Sequence, residues 1–289
     1  MIKRKLKAIR TKFTGIDQEK LLDRIACLEE SLLEKHRNAE ILLNGLKHPS
    51  SEKTSDTKKQ MKDSYTNFYH KLLDEMTTEE AMSVAVSGKG GGYKETGLTE
   101  VALLQYCGLL PEHHLVDVGC GSGRLAKPLS KVHSGKYSGF DIVRDAVDYA
   151  REFVGRSDWR FEEIDGINIP EKDNSVDMVC FFSVFTHILH EYTYWYLEES
   201  IRVLKPGGKI VFSFLEFAES HHWHVFTATL SHTKESATNP LNVFMHRGDI
   251  QVWAEHLNLV LEGFYGATEN PWGAGPLGQT VCVLTVPHP

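Results

Sequence analysis

From residue 99 onward, short apolar runs alternate with segments whose apolar residues recur every three or four positions. The runs near 115–118, 136–140, 159–163, 176–182, 208–215, 259–265 and 280–286 read as strands. The periodic segments 99–109, 123–133, 144–155, 190–203 and 248–258 read as helices. Strand and helix in turn predict an α/β domain, a doubly wound and mostly parallel sheet of seven strands covered on both faces. The last two strands flank Asn270, Pro271, Gly273, Gly275 and Pro276, which suggests an antiparallel pair closing one edge. Residues 216–247 are less regular.

Upstream the pattern changes. Ile2, Leu6, Ile9 and Phe13 share a helical stripe among six basic residues, a small amphipathic segment capable at most of weak contact with an anionic membrane surface. After Gly15, Asp17 is placed to cap a helix, and Leu21, Ile25, Leu28, Leu32, Ala39, Leu42 and Leu46 follow a heptad stripe broken at Lys35. Residues 17–48 therefore suit either self-association into a homo-oligomer or packing of an amphipathic helix on its own domain. The polar stretch 49–58 reads as an exposed linker, dividing the chain into an extension, 1–57, and a catalytic-sized domain, 58–289. Met61, Tyr65, Phe68, Tyr69, Leu72, Leu73 and Met76 then give a helix an apolar face, and Thr78 opens a short second one. The glycine-rich stretch 87–97 suggests a lid loop beside the binding strand.

Composition narrows the class. With 289 residues there is enough chain for a sizeable core, and a net charge of −7 gives no support for a nucleic-acid surface. The five cysteines, at 27, 107, 120, 180 and 282, form no CxxC pair and fit reduced thiols. No apolar run reaches the roughly 18–20 residues of a membrane span, and the basic N-terminus lacks a signal peptide's apolar core, so the expected location is the cytoplasm.

The chemistry centres on Val116-Asp117-Val118-Gly119-Cys120-Gly121-Ser122-Gly123-Arg124-Leu125-Ala126, which reads as strand, glycine turn and helix, with Ser122 as the helix cap. Such a turn offers backbone N–H groups at the carboxyl end of a strand, where α/β proteins bind nucleotides. Asp141 follows about 20 residues later, at the end of the second strand, where an acid accepts hydrogen bonds from ribose hydroxyls. These two features fit a dinucleotide as well, since Gly121 to Ala126 also matches GxGxxA.

Further stretches separate the alternatives. Asp117 to Gly123, Gly139-Phe140-Asp141-Ile142, Ile164-Asp165-Gly166-Ile167-Asn168-Ile169-Pro170, Asp173 to Val179 leading to Phe181-Phe182-Ser183-Val184-Phe185-Thr186-His187, and Arg202 to Gly208 occur in that order. Over residues 99–286 the sequence resembles the class I S-adenosylmethionine-dependent methyltransferases, with their Rossmann-like fold. The resemblance implies S-adenosylmethionine as cofactor, Asp141 and Ile142 at its ribose, and Asp165 with Gly166 at its adenine. It also implies Gly119, Gly121 and Gly123 as the close backbone of the cofactor turn, Asp117 orienting either the cofactor's amino-acid portion or that turn, and Phe182 facing both ligands. The tail around Met245 to Ile250 and Pro276 to Leu284 looks like that of bacterial enzymes of surface glycans and related small molecules, which implies a saccharide or small-molecule hydroxyl acceptor and a place in polysaccharide biosynthesis.

A hydroxyl acceptor benefits from a base. His187, just after the fourth strand, is the first candidate, and the cluster His221-His222-Trp223-His224 supplies a second in His222. His222 and His224 share a face only in an extended segment, so no metal is assigned. Tyr192, Trp195 and Tyr196 suit either an acceptor pocket or the core. A nicotinamide-dependent oxidoreductase would use the same turn, but the chain lacks an evident Tyr-x-x-x-Lys pair; a non-catalytic scaffold built on residues 17–48 is the other alternative.

Overall fold

A computed structural model describes residues 51–88, 91–235 and 242–288. The basic segment 1–13 and the heptad stripe of 17–48 lie outside the described residues. The chain divides into two compact units, Met1–Thr57 and Lys58–Pro289.

The second unit is built on seven strands, β1 (Leu115–Val118), β2 (Tyr137–Asp141), β3 (Arg160–Glu163), β4 (Val176–Phe181), β5 (Leu204–Phe214), β6 (Val260–Tyr265) and β7 (Thr280–Thr285). They lie in the order β3-β2-β1-β4-β5-β7-β6, and β7 runs antiparallel to both neighbours. The antiparallel pair β6 and β7 closes one edge, as expected, with β7 inserted between β5 and β6 and β6 outermost. Its side chains explain the placement, since Val281 to Leu284 are all buried whereas Val260 is exposed.

Side chains alternate across the sheet. Val116, Val179, Phe181, Ile210 and Phe212 face one apolar cluster, and Leu115, Met178, Cys180 and Val211 face the other. The helices, in chain order, are α1 (Ser51–Glu75), α2 (Thr78–Ser87), α3 (Tyr93–Tyr106), α4 (Ala126–Leu129), α5 (Arg144–Val154), α6 (His190–Val203), α7 (Trp223–Glu235) and α8 (Arg247–His256). Helices α6 and α8 cover the first face; α3, α4 and α5 cover the second. Spacing dictates this: α5 buries Ala146, Val147, Ala150 and Val154, and α6 buries Tyr192, Tyr196, Leu197 and Val203. A third cluster joins Tyr69 and Met82 of α1 and α2 to Val143 and Ala146 beyond the end of β2.

Four local expectations change. The stretch read as a linker is helical from Ser51, so α1 runs without a break to Glu75. The proposed lid loop is shorter than 87–97 because α3 starts at Tyr93, and α2 is capped by Thr77 in a box with Glu80. Gly97 lies buried inside α3, where a Cβ would come 2.3 Å from the Arg124 carbonyl oxygen; only glycine lets that helix approach the turn so closely. Lys205 to Gly208 form a bulge inside β5 rather than a turn before it, with pairing to β4 stepping from Leu204 to Lys209.

Candidate active site

The carboxyl ends of β1, β2, β3 and β4 converge on a cavity of about 1120 Å³ counted with its open mouth. It lies where the strand order reverses between β1 and β4, the switch point at which open α/β sheets bind ligands. Helices α1 and α2 roof it through Tyr65, Tyr69, Ala85 and Val86.

Gly119 and Gly121 line the floor. Gly119 has φ +79°, and a Cβ there would sit 2.3 Å from Val184 Cγ2, so a side chain would fill the cradle. Gly123 does not line the cavity; it serves packing, facing Val154 and Ala150 of α5. Asp141 closes the adjoining wall. Its Oδ2 accepts from Gly121 N at 2.9 Å and its Oδ1 from Val143 N at 2.9 Å, which fixes the carboxylate at the strand end. Burial pushes its pKa up, while the N–H donors oppose that shift.

These bonds decide what the turn can hold. The N–H groups of Gly119 and Cys120 go to Phe140 O, that of Gly121 to Asp141, and that of Gly123 to Cys120 O. Ser122 does not cap a helix; it is buried and donates to Met82 O at 3.0 Å, tying the turn to α2. The following helix has only four residues. A pyrophosphate needs free N–H groups in this turn, and those of Gly119, Cys120, Gly121 and Gly123 are already given within the protein, which disfavours a dinucleotide. A phosphate-free nucleoside fits the donor set: an acid at the ribose position, with Ile142, Ile164, Ile167, Ile188, Tyr192 and Tyr196 forming an apolar slot for a flat base. Asp165 and Gly166 stand at the rim of that slot. The Tyr65 hydroxyl, buried in the roof, has no partner among the described residues, and burial followed by the Asp141 charge raises its pKa, so it stays a donor for a polar ligand.

The other wall comes from the segment after β4. Phe182, Ser183, Val184 and His187 all line the cavity, and the His187 ring stands edge-on to Tyr65 at 5.8 Å. Ser183 has φ +61°, a strained conformation for a residue with a side chain. It is held there by its N–H to Ser213 Oγ at 2.8 Å and by the Thr186 hydroxyl donating to its carbonyl at 2.9 Å.

Besides Gly123, two predicted residues lie elsewhere. Asp117 is buried beneath the turn, accepting from the Tyr137 hydroxyl at 2.7 Å, and burial pushes its pKa up to about 7. His222 is likewise buried away from the cavity. Its segment, Ser220–His222, is a 3-10 turn, and Nδ1 accepts from Glu216 N at 3.0 Å, so it braces the end of β5. That turn is not extended, and no group of three or more potential ligands is arranged to hold a metal among the described residues. Tyr192 and Tyr196 are buried in the core, as one of the two readings had it, and also line the cavity; Tyr196 donates to Gly166 O at 3.1 Å. Sequence reasoning missed the buried Arg124–Glu100 pair, although a lone acid on the apolar stripe of α3 with Val101 and Leu104 was its signal.

Residues 116–212 match the profile of a methyltransferase domain family. That match covers 97 of the 289 residues, and over it the chain is similar to the S-adenosylmethionine-dependent methyltransferases. Among relatives of this methyltransferase, a ubiquinone biosynthesis O-methyltransferase of Coxiella burnetii is 25% identical over 162 residues, 55% of this chain and 68% of that one. The O-methyltransferase cnsE of Penicillium expansum is 29% identical over 102 residues, 34% of this chain, and the match spans only 36% of the fungal protein. The fold is shared with magnesium protoporphyrin IX methyltransferase of Synechocystis, at a TM-score of 0.57 and 16% identity over 79% of this chain and 98% of that one. Among the described residues no helix is long and apolar enough to cross a membrane.

Proposed function

We propose that this methyltransferase moves the methyl group of S-adenosylmethionine to a hydroxyl oxygen of a small-molecule or saccharide acceptor, with His187 as the base. The observation that carries this reading is the shared wall: Ser183, Val184 and His187 line the same cavity as the glycine cradle and Asp141. When bound, the sulfonium supplies an already activated methyl group. The protein's work is then alignment and proton removal. Gly119, Gly121 and Asp141 fix the donor, the strained turn at Ser183 fixes the opposite wall, and a ring nitrogen of His187 takes the hydroxyl proton as the oxygen attacks.

The O-methyltransferase names of the relatives support an oxygen acceptor. Reduced, buried cysteines at 107, 120, 180 and 282 support a cytoplasmic setting, and the reading includes self-association through residues 17–48 and a role in polysaccharide biosynthesis. The test is transfer of label from [methyl-13C]S-adenosylmethionine into a metabolite and glycan extract. Wild type is expected to form methoxy carbons, and His187→Ala to do so about a hundredfold more slowly while binding S-adenosylhomocysteine within threefold of wild type. Label appearing in N- or C-methyl groups would replace the hydroxyl acceptor, and an undiminished rate would remove His187 as the base.

A further inference from the structure

A second cavity, about 480 Å³ counted with its mouth, adjoins the first and shares Val86, Phe182 and Ser183 with it. It opens at the ends of β4, β5 and β7, where Ser213 and Gln279 meet Ser183. Its lining is polar, unlike that of the nucleoside slot. Ser213 donates to Gln279 Oε1 at 2.7 Å, and Gln279 Nε2 donates to Ser183 Oγ at 3.1 Å. The Ser183 hydroxyl donates back to Gln279 Oε1 at 3.4 Å; an amide nitrogen has two hydrogens, so the second N–H of Gln279 remains to be given. Ser87 Oγ, also in the lining, is buried with no partner among the described residues. A buried hydroxyl without a partner is unfavourable, so this one marks the place of a missing polar ligand group.

The charges in this cavity are already matched. Arg124 directs Nε and Nη2 to the two oxygens of Glu100 and Nη1 to Val86 O at 2.9 Å, with both side chains buried. The lining thus offers no unmatched cation to a carboxylate or phosphate and no unmatched anion to an amine. The zwitterionic end of the cofactor is poorly served here for the same reason. A flat apolar ring would leave the Ser87 hydroxyl and the second Gln279 N–H unpaired, whereas Phe182 and Leu277 can cover the C–H face of a saturated ring.

We propose that this second cavity holds the methyl acceptor and that the acceptor's buried part is an uncharged, hydroxyl-rich ring of the sugar type, read by Ser87, Ser183 and Gln279. The inference rests on the methyltransferase reading above and narrows its acceptor. The two cavities meet at Phe182 and Ser183, so a hydroxyl of a ring seated in one reaches the methyl carried in the other.

The test uses the full chain saturated with S-adenosylhomocysteine and four neutral probes, the methyl glycosides of glucose, galactose, mannose and fucose, observed by saturation-transfer NMR beside glucuronate and catechol. At least one glycoside is expected to show transfer, falling at least threefold in Gln279→Leu and in Ser87→Ala, with glucuronate silent. Both variants should bind S-adenosylhomocysteine within twofold of wild type. Ser87→Ala removes only an unpartnered hydroxyl, so its thermal midpoint should not fall, which keeps that arm interpretable if Gln279→Leu is unstable. Stronger transfer to catechol or glucuronate, or silence from all four glycosides, overturns the proposal. So does a variant that weakens S-adenosylhomocysteine but not methylthioadenosine, because the cavity would then hold the cofactor's amino-acid end. Failure of wild type to bind S-adenosylhomocysteine at all would instead sink the methyltransferase reading.

Discussion

Replacing Arg124 with methionine is expected to lower the unfolding free energy by about 3–5 kcal/mol at pH 7.5, as measured by urea denaturation. Glu100 is 1% exposed and Arg124 7% exposed, so each charge depends on the other rather than on water. Removing the guanidinium strands a carboxylate in the core and also frees the Val86 carbonyl. Burial already pushes the Glu100 pKa up, with Arg124 pulling against it. Without Arg124 the acid would take up a proton, so the variant's deficit should be larger at pH 8.5 than at pH 5.5. The double variant Glu100→Gln with Arg124→Met should recover most of the loss, since no charge is then left buried. A deficit below about 1 kcal/mol in the single variant would mean that the pair is hydrated.

Asp117→Asn is expected to become progressively more stable than wild type as the pH rises from 4 to 8. The folded-state pKa of Asp117 is raised to about 7 by burial, against 3.8 for the free side chain. Below pH 4 both folded and unfolded chains hold the proton and the group is neutral in its effect. Between about 4 and 7 the unfolded chain releases its proton first, so unfolding is favoured as pH rises, and above 7 the effect is constant. A shift of roughly three units corresponds to on the order of 4 kcal/mol at about 1.4 kcal/mol per unit. Asparagine keeps an oxygen for the Tyr137 hydroxyl but never ionises. The measurement is the difference in unfolding free energy between variant and wild type across that range. A difference independent of pH would place Asp117 in a far wetter setting than its 3% exposure implies.

Much of the fold was legible because strand and helix spacings report burial directly. The run Val176 to Phe181 alternates between two cores, and Tyr192, Tyr196 and Val203 recur at helical spacing; both patterns are written in side-chain type. What failed was local backbone economy. Residues 123–133 carry a helical pattern, yet only Ala126–Leu129 form a helix, because Gly123 turns back to Cys120 and Ser134 and Gly135 donate to Pro111 O. Polar stretch 51–58 lacks apolar anchors but lies in a continuous helix with the anchored residues that follow it.

The candidate site divides in the same way. Gly119, Gly121, Asp141, Ile142, Asp165, Gly166, Phe182 and His187 meet around one cavity, as motif order predicted. Asp117, Gly123 and His222 carry equally suggestive types but fall outside it, because sidedness on a strand and partners distant in sequence determine where a side chain points. Tyr65, from the helix before the domain's sheet, and the pair of Gln279 with Ser213 were beyond sequence reasoning for the converse reason: 76 residues separate Tyr65 from Asp141 only along the chain, and 66 separate Ser213 from Gln279.

The central claim is that Asp141 and the glycine cradle hold S-adenosylmethionine, and calorimetric titration with S-adenosylhomocysteine and with NAD addresses it most directly. The account predicts binding of S-adenosylhomocysteine at one site, more than tenfold weaker in Asp141→Ala, equivalent to about 1.4 kcal/mol or more, and no binding of NAD. Tight binding of NAD, or an affinity for S-adenosylhomocysteine unchanged by the loss of Asp141, would contradict it.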